Sequence, residues 1–224
     1  MSRARERLAR MRAQLYQLAG LREGGFFIQY DYSASVPETV GVYPEIERLF
    51  AGSAGSISEL ADRILSLRSD IEAARCEGAL RMDSMMFPRL DAMAAYAMLR
   101  THRPRRVLEI GSGHSTAVLA RALAENGAGE LTCIDPSPNK PIDHLKVNLL
   151  QRLLQEDDAE RVETFEAGDV LFIDSSHIML QGTDVDIQFN RMFPRLKPGV
   201  LVQLHDVFLP DGYPPKWRNR WYSE

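Results

Sequence analysis

The feature that most constrains this sequence is a pair of glycines placed between an apolar run and an amphipathic run. Residues 107–110 favour a β-strand, and this run ends at Gly111 and Gly113. From Ser115 onward the apolar side chains recur at the spacing of one helix face. The residues on that face are Val118, Leu119, Ala122 and Leu123. A strand, a glycine turn and a helix in this order form a corner whose free N–H groups bind anions and nucleotides.

The spacing inside this corner bears on which nucleotide it binds. A dinucleotide fingerprint has a third glycine three residues after Gly113, and this chain has Thr116 there. Asp135 ends the next apolar run, close to the ~20 residues downstream at which an acid binds ribose hydroxyls. Because an ordinary turn between a strand and a helix can hold the same glycines, NAD binding and a purely structural turn are open alternatives.

Composition and charge limit the classes of partner. With 224 residues and 45% hydrophobic content, the chain can bury one substantial core. Its net charge of −4 argues against nucleic acid as a partner. No apolar run approaches the ~20 residues that span a bilayer, so we expect no membrane partner. Two distant cysteines, Cys76 and Cys133, fit a reducing cytoplasm rather than a disulfide scaffold.

We predict that residues 1–100 form an N-terminal cap or lid region with helices and an aromatic segment. In residues 1–22, arginines surround an apolar stripe at helical spacing, which is typical of a peripheral helix or of a targeting peptide. Residues 24–32 are rich in aromatic side chains and follow two glycines. They are either a lid over a ligand or a hydrophobic clasp onto the core.

Two further helices are predicted in this region. Ser56 and Glu59 have the spacing of a capping box, which predicts a helix that begins after Ser56 and runs to about Cys76. Residues 90–99 predict a second helix, and we interpret its methionines as core filler rather than a binding surface.

Residues 101–224 predict the core domain, in which strands and helices alternate. The predicted strands are 106–110, 130–135, 169–174 and 199–206, with a further short strand near 162–165. The predicted helices are 115–126, about 142–155 and about 183–193. This alternation predicts an α/β fold, a Rossmann-like, doubly wound and mostly parallel sheet with helices on both faces. Ligands of such sheets bind beyond the carboxyl ends of the strands.

Polar side chains follow two of these predicted strands. Asp174 ends one apolar run and His177 follows it, while His205 and Asp206 end another run. Because the carboxyl ends of neighbouring parallel strands lie at the same edge of a sheet, we expect these four side chains to converge. An aspartate at the end of a strand also caps helices, and that structural role is the alternative interpretation.

Together these segments resemble a bacterial class I S-adenosylmethionine (SAM) methyltransferase of the small-molecule O-methyltransferase branch. The segments that carry the resemblance are Glu-Ile-Gly-Ser-Gly at 109–113, Ile-Asp-Pro at 134–136, Ile-Asp-x-x-His at 173–177, Leu-Lys-Pro-Gly at 196–199 and His-Asp-Val-Phe at 205–208. Upstream, residues 25–28 and 43–44 are also similar to that branch, so the resemblance covers most of the chain from about residue 24.

The resemblance implies a SAM site at the glycine corner. Its implied cofactor-binding residues are Glu109, Gly111, Ser112, Gly113, Ser115, Asp135, Pro136 and Asp169. In that arrangement Asp135 binds the ribose hydroxyls and Pro136 shapes the adenine slot. Asp169 either reaches the adenine or lies in the turn before its strand.

The resemblance also implies a divalent cation (Mg²⁺, Mn²⁺ or Zn²⁺), because the metal-dependent O-methyltransferases have a similar layout. Asp174, His205 and Asp206 match the ligand positions of those families. Asp174 and His177 match the catalytic positions, with His177 accepting the proton of the substrate. His205 is a departure, because magnesium prefers oxygen ligands. Either His205 is not a ligand, or the metal is not Mg²⁺, or no metal is bound.

The expected activity is methyl transfer from SAM to a hydroxyl group of a small molecule, such as a sugar or a natural product. A metal-independent or N-directed methyltransferase of the same fold is one alternative, and a SAM-binding protein without turnover is another. The N-terminal helix is compatible with a homo-oligomer. Because the sequence stops soon after the fifth predicted strand, we expect a truncated chain or a shortened domain that a partner subunit completes.

Overall fold

The computed structural model describes residues 8, 11–12, 15–16, 18–19, 35, 40–76, 86–138 and 141–214. The chain divides into two compact units, Met1–Glu38 and Thr39–Glu224. In the first unit the described residues between Leu8 and Leu18 are helical, as their apolar spacing predicts. The aromatic segment 24–32 lies outside the described residues, so its role as lid or clasp stays a prediction.

In the described part of the second unit, four helices precede the sheet. They are α1 (Pro44–Gly52), α2 (Ala54–Ser66), α3 (Arg68–Cys76) and α4 (Arg89–His102). The predicted start at Ser56 is wrong, because the chain turns from α1 into α2 at Ser53, whose N–H donates to the Phe50 carbonyl. A second turn at Leu67 separates α2 from α3, where the sequence predicts one continuous helix.

Helix α4 connects this helical region to the sheet. It packs against α5 (His114–Asn126), and the side-chain amide of Asn126 donates to the Leu99 carbonyl at 2.9 Å. Helix α4 lies in the same compact unit as the sheet, Thr39–Glu224, and the predicted boundary between the cap region and the core at residues 100 and 101 stays a prediction.

The centre of the second unit is a five-stranded parallel sheet. Its strands are β1 (Arg106–Ile110), β2 (Glu130–Ile134), β3 (Asn148–Leu150), β4 (Val170–Ile173) and β5 (Leu201–Leu204). The strand order is β3-β2-β1-β4-β5, and each neighbouring pair is parallel. The sheet and its flanking helices confirm the predicted Rossmann-like α/β fold.

Alternate side chains of the strands fill two cores, one on each face of the sheet. Val107 and Phe172 point into the core that α4 and α5 cover. Leu108 and Leu171 point into the opposite core, which also holds Met192. Because both faces are buried, the strands are nearly continuous apolar runs, as parallel strands usually are.

Two predicted elements of the core are wrong. Residues 142–155 do not form a helix, because β3 lies within them and pairs with β2 from Asn148 to Leu150. The stretch predicted as a strand near 162–165 begins within the short helix α6 (Ala159–Glu163), which buries Val162.

A third predicted element, the helix at 183–193, is divided into three parts. It starts as α7 (Asp184–Ile187), continues as a π-helical turn (Gln188–Met192) and ends as a 3₁₀ turn (Phe193–Arg195). None of the described helices has both the length and the apolar character needed to cross a bilayer.

The carboxyl ends of the three central strands and of β5 are joined by hydrogen bonds beyond the strands themselves. The Gly111 N–H donates to the Ile134 carbonyl, and the Asp174 N–H donates to the Ile110 carbonyl, each at 2.9 Å. The His205 N–H donates to Ile173 at 2.9 Å. Gly111, Asp174 and His205 therefore lie side by side at one edge, the edge at which sheets of this topology bind ligands.

Candidate functional site

The glycine corner leaves β1 at Gly111, where the chain passes directly over the end of β4. Gly111 has a φ of +93°, and a Cβ built on it would lie 2.0 Å from the carbonyl oxygen of Asp174. Two residues later the Gly113 N–H donates to the hydroxyl of Thr116 at 2.8 Å. Thr116 therefore closes the turn at the position where a dinucleotide fingerprint has its third glycine.

Beneath this corner lies the carboxyl group of Glu109, which is 0% exposed. It accepts hydrogen bonds from the Ser115 hydroxyl at 2.6 Å and from the Cys133 thiol at 3.1 Å. Burial raises the pKa of Glu109 to about 7, and these hydrogen bonds offset only part of the effect. The hydrogen bond between Ser115 and Glu109 thus connects the start of α5 to strand β1.

Asp135 lies just after the end of β2, beside the glycine corner. Its carboxylate accepts from the Ser112 hydroxyl at 2.8 Å and from the Ser137 N–H at 2.7 Å. A carboxylate has about four acceptor positions, so Asp135 retains capacity for further donors. Pro136 follows it and is exposed.

Asp169 is not at this edge, which corrects the interpretation that it reaches an adenine. It precedes β4, at the amino ends of the strands, and its side chain is buried. Its carboxylate accepts from the backbone N–H groups of Arg105, Arg106 and Glu166 at 2.9–3.0 Å. Asp169 therefore organises the turn before β4, the alternative that its position in the sequence leaves open.

The side chains that follow β4 and β5 do converge. Asp174, His177 and Asp206 each offer one potential ligand atom, and these atoms lie within 4.8 Å of one another. The His177 Nε2 lies 3.5 Å from Asp174 Oδ1. Both His177 and Asp206 have φ of +59°, a conformation uncommon for residues other than glycine and a mark of functional sites when the surroundings enforce it.

His205, a predicted ligand, lies against both carboxylates of this cluster. Its Nδ1 is 3.3 Å from Asp174 Oδ1 and 3.5 Å from Asp206 Oδ1. The group whose ligand atoms can share one cation contains His177 in place of His205. The His205 ring also packs on Phe87, with a centroid distance of 5.1 Å.

Two contributors to this cluster come from the region of α4, and the sequence analysis missed both. They are Phe87, which is 2% exposed, and Asp91, whose Oδ2 lies 3.9 Å from His205 Nε2. No spacing signal connects them to the strand ends, because their proximity depends on how α4 packs against the sheet. In the sequence, Asp91 in the first turn of α4 indicates only a favourable interaction with the helix dipole.

The electrostatics of the cluster favour an ionised Asp174. Burial alone would raise its pKa, but hydrogen bonds and charge from His177 and His205 outweigh burial and lower the pKa to about 2. For His205, burial alone would lower the pKa, whereas the contact with Asp174 raises it above its ordinary value. The cluster thus holds a carboxylate at neutral pH.

The segment after β5 continues from this cluster into an apolar surface. The Tyr43 N–H donates to the Pro210 carbonyl at 2.8 Å, so the segment before α1 is bound to it. The rings of Phe208 and Tyr213 are in edge contact at 5.6 Å. Leu209 is 44% exposed. The segment before α1 and the segment after β5 therefore meet each other.

Comparison with known proteins bears on residues 108–207. This stretch, which runs from β1 to just beyond β5, matches the model of a protein family described as a methyltransferase domain. A search of curated proteins found no match to the chain. The family match and the strand order together support a class I methyltransferase domain in residues 108–207.

Proposed function

We propose that this chain transfers a methyl group from SAM to a hydroxyl group of a small molecule. The observation that carries the proposal is the contact between Gly111 and the backbone of Asp174. Because of this contact, the corner that would hold the cofactor and the acidic cluster open at the same edge of the sheet. A methyl donor and an acceptor bound there would be neighbours, which an in-line displacement requires.

The residues of the glycine corner fit SAM. Asp135 can accept hydrogen bonds from the ribose hydroxyls while it keeps those from Ser112 and Ser137. The N–H groups at the start of the 13-residue helix α5 face the same edge, and they suit the carboxylate of the methionine part. Glu109 supports this corner from below. SAM supplies the activated methyl group.

Asp174 and His177 orient the acceptor and take its proton. A hydroxyl group is a weak nucleophile until its proton is held by a base. Asp174 is ionised at neutral pH, so it can accept the hydrogen bond of an acceptor hydroxyl. The imidazole of His177, whose Nε2 lies 3.5 Å from Asp174 Oδ1, is the adjacent base.

The same cluster also fits a divalent cation. Two carboxylates and one imidazole, those of Asp174, Asp206 and His177, would hold it. A donor set that includes nitrogen suits Mn²⁺ or Zn²⁺ better than Mg²⁺. A cation there would lower the pKa of an acceptor hydroxyl. In that form of the site His177 is a ligand, and proton removal depends on the cation rather than on the imidazole.

The acceptor is proposed to be a small molecule with an apolar part. Phe208, Leu209 and Tyr213 follow Asp206 closely and offer apolar and aromatic surface. Ligand sites are commonly lined in this way, with a few polar groups that fix orientation.

The cofactor part of the proposal is tested by calorimetry with S-adenosylhomocysteine, the demethylated product. Asp135→Asn should weaken binding by about 10–100-fold, because it removes a charged acceptor from two ribose hydroxyls. Asp143→Asn, an exposed aspartate on the following loop, is the matched control and should bind as the wild type does. Binding of NAD in preference to S-adenosylhomocysteine contradicts the proposal.

The transfer part is tested by consumption of SAM in the presence of a panel of hydroxylated and amine acceptors. Each reaction is run after treatment with a chelator and again with added Mn²⁺. Turnover of a hydroxylated acceptor supports the proposal, and its dependence on Mn²⁺ decides between the two ways of removing the proton. Turnover of amines alone indicates an N-directed enzyme, and no turnover with intact cofactor binding indicates a SAM-binding protein.

A further inference from the structure

The segment between β4 and α7 carries two of the clustered side chains, and one of them stands in an unusual backbone conformation. Asp174 begins it and His177 stands three residues later. His177 is 2% exposed and has its φ at +59°. A non-glycine residue keeps such a conformation only where surrounding contacts impose it. Those contacts therefore determine where the carboxylate and the imidazole stand.

The two residues between them, Ser175 and Ser176, are each bound by one residue of the helical segment that follows. The Asp184 carboxylate accepts from the Ser176 N–H at 2.9 Å and also from the Ser176 hydroxyl. The side-chain amide of Gln188 donates to the Ser175 hydroxyl at 3.0 Å. Asp184 and Gln188 are four residues apart, so they lie on one side of the helical segment. Together they hold both serines.

The side chain of Gln188 destabilises the fold at this position. It is 0% exposed, and among the described residues its side-chain carbonyl oxygen has no hydrogen-bond partner. Burial of an unpartnered amide oxygen destabilises a fold, so packing alone favours an apolar side chain of similar size. Gln188 also begins the π-helical turn, and such turns are frequent near functional sites. The bond to Ser175 is what an apolar side chain could not provide.

We propose that Asp184 and Gln188 are positioning residues, which fix Asp174 and His177 by holding the two serines between them. The proposal rests on the proposed function, because it assigns both residues to the same site. The start of the segment is already fixed, since the Asp174 N–H donates to Ile110 of β1 at 2.9 Å. Asp184 and Gln188 fix the remainder, and neither needs to touch the cofactor or the acceptor.

The proposal is tested with three variants and a control on the same helical segment. Asp184→Ala removes both acceptor oxygens, Asp184→Asn keeps one of them, and Gln188→Met removes the donor at similar size. Asp186→Asn is the control, because Asp186 accepts from the Gly182 N–H and the Asn190 amide, each at 2.7 Å, and not from the serines.

The first readout is the position of the His177 ring signals in NMR spectra at one fixed pH. These signals should move in Asp184→Ala and Gln188→Met, move less in Asp184→Asn, and stay in place in Asp186→Asn. If Asp184 acted only through its charge at the helix start, Asp184→Asn and Asp184→Ala would move the His177 signals equally. The second readout is turnover with a hydroxylated acceptor, in which kcat should fall about 100-fold while the KM for SAM stays unchanged.

Binding of S-adenosylhomocysteine tests the proposed function separately, and it should match the wild type in all four variants. If the wild type does not bind it, the proposed function fails, while the His177 signals still decide the positioning role. That role is overturned if folded Asp184→Ala and Gln188→Met keep the wild-type signals, or if Asp186→Asn moves them equally. Should Asp184→Ala not fold, Asp184→Asn and Gln188→Met carry the same comparison.

Discussion

The hydroxyl of Ser115 donates to the buried carboxyl group of Glu109 at 2.6 Å, which fastens the start of α5 to the middle of the sheet. The thiol of Cys133 donates to the other oxygen at 3.1 Å, so β2 is part of the same arrangement. This small polar network is the floor of the glycine corner. Because burial raises the pKa of Glu109 to about 7, its protonation changes close to neutral pH.

Glu109 should make the stability of the fold depend on pH. Its pKa in the folded state is about 7, above the ordinary value of 4.5, so the folded chain binds the extra proton between those two values. The contribution of Glu109 to the free energy of unfolding is therefore fully present below pH 4.5 and is lost as pH rises through 7. The free energy of unfolding of the wild type relative to Glu109→Gln should fall by about 2–3 kcal/mol between pH 5 and 8. Urea unfolding of both proteins at each pH measures this, and a constant difference contradicts it.

The sequence predicts the part of the fold whose signals are local. The glycines at 111 and 113, the helical spacing after them and the apolar strands fix β1, α5 and β2 to within a residue or so. Residues 142–155 are different, because their leucines and valine suit a helix as well as a strand. Pairing of β3 with β2 selects the strand over the helix, and the local sequence pattern does not predict such a long-range contact.

The same distinction applies to the site. The rule that parallel strands end at one edge is sufficient to bring Asp174, His177 and Asp206 together. It does not reveal Phe87 or Asp91, since their place beside His205 depends on the packing of α4. Nor does it apply to Asp169, which precedes its strand and lies in the turn at the opposite edge of the sheet.

Gly111→Ala should destabilise the fold far more than Gly127→Ala does. Both glycines have positive φ, so both substitutions carry a backbone cost of about 1–2 kcal/mol. At Gly127 no atom of the described residues, its own chain neighbours apart, lies within 4 Å of the added Cβ, whereas at Gly111 the Cβ would meet the Asp174 carbonyl at 2.0 Å. We expect the Gly111 variant to lose at least about 2 kcal/mol more, measured by urea unfolding. Equal losses would mean that β1 and β4 can separate without cost.

Asp158→Asn should destabilise the fold, while Asp157→Asn next to it should not. Asp158 is buried. Its carboxylate accepts hydrogen bonds from both terminal nitrogens of Arg152, at 2.6 and 2.7 Å, and from Nε of Arg161 at 2.8 Å. Burial opposes the charge, but these partners lower the pKa of Asp158 to about 2. Loss of the charge leaves Arg152 poorly paired, and we expect a cost of about 3 kcal/mol at pH 7.

This cost should also depend on pH, with a sign opposite to that for Glu109. The folded pKa of Asp158 is below its ordinary value of 3.8, so its contribution is present above pH 3.8 and lost as pH falls through 2. The difference between the wild type and Asp158→Asn should shrink by about 2 kcal/mol over that range. Asp157, which is exposed, supplies the baseline for the comparison.

His177 and His205 should differ in how they affect cation binding, although both contact Asp174. The potential ligand atoms of Asp174, His177 and Asp206 lie within 4.8 Å of one another, and His205, whose ring packs on Phe87, is not part of that group. His177→Ala should therefore abolish Mn²⁺ binding, and His205→Ala should weaken it by about 10–100-fold, as loss of a residue that orients a ligand does. Titration with Mn²⁺, followed by electron paramagnetic resonance of the free ion, measures both. A greater loss in His205→Ala would restore His205 to the ligand set, and a wild type that binds no Mn²⁺ would leave His177 free to act as the base.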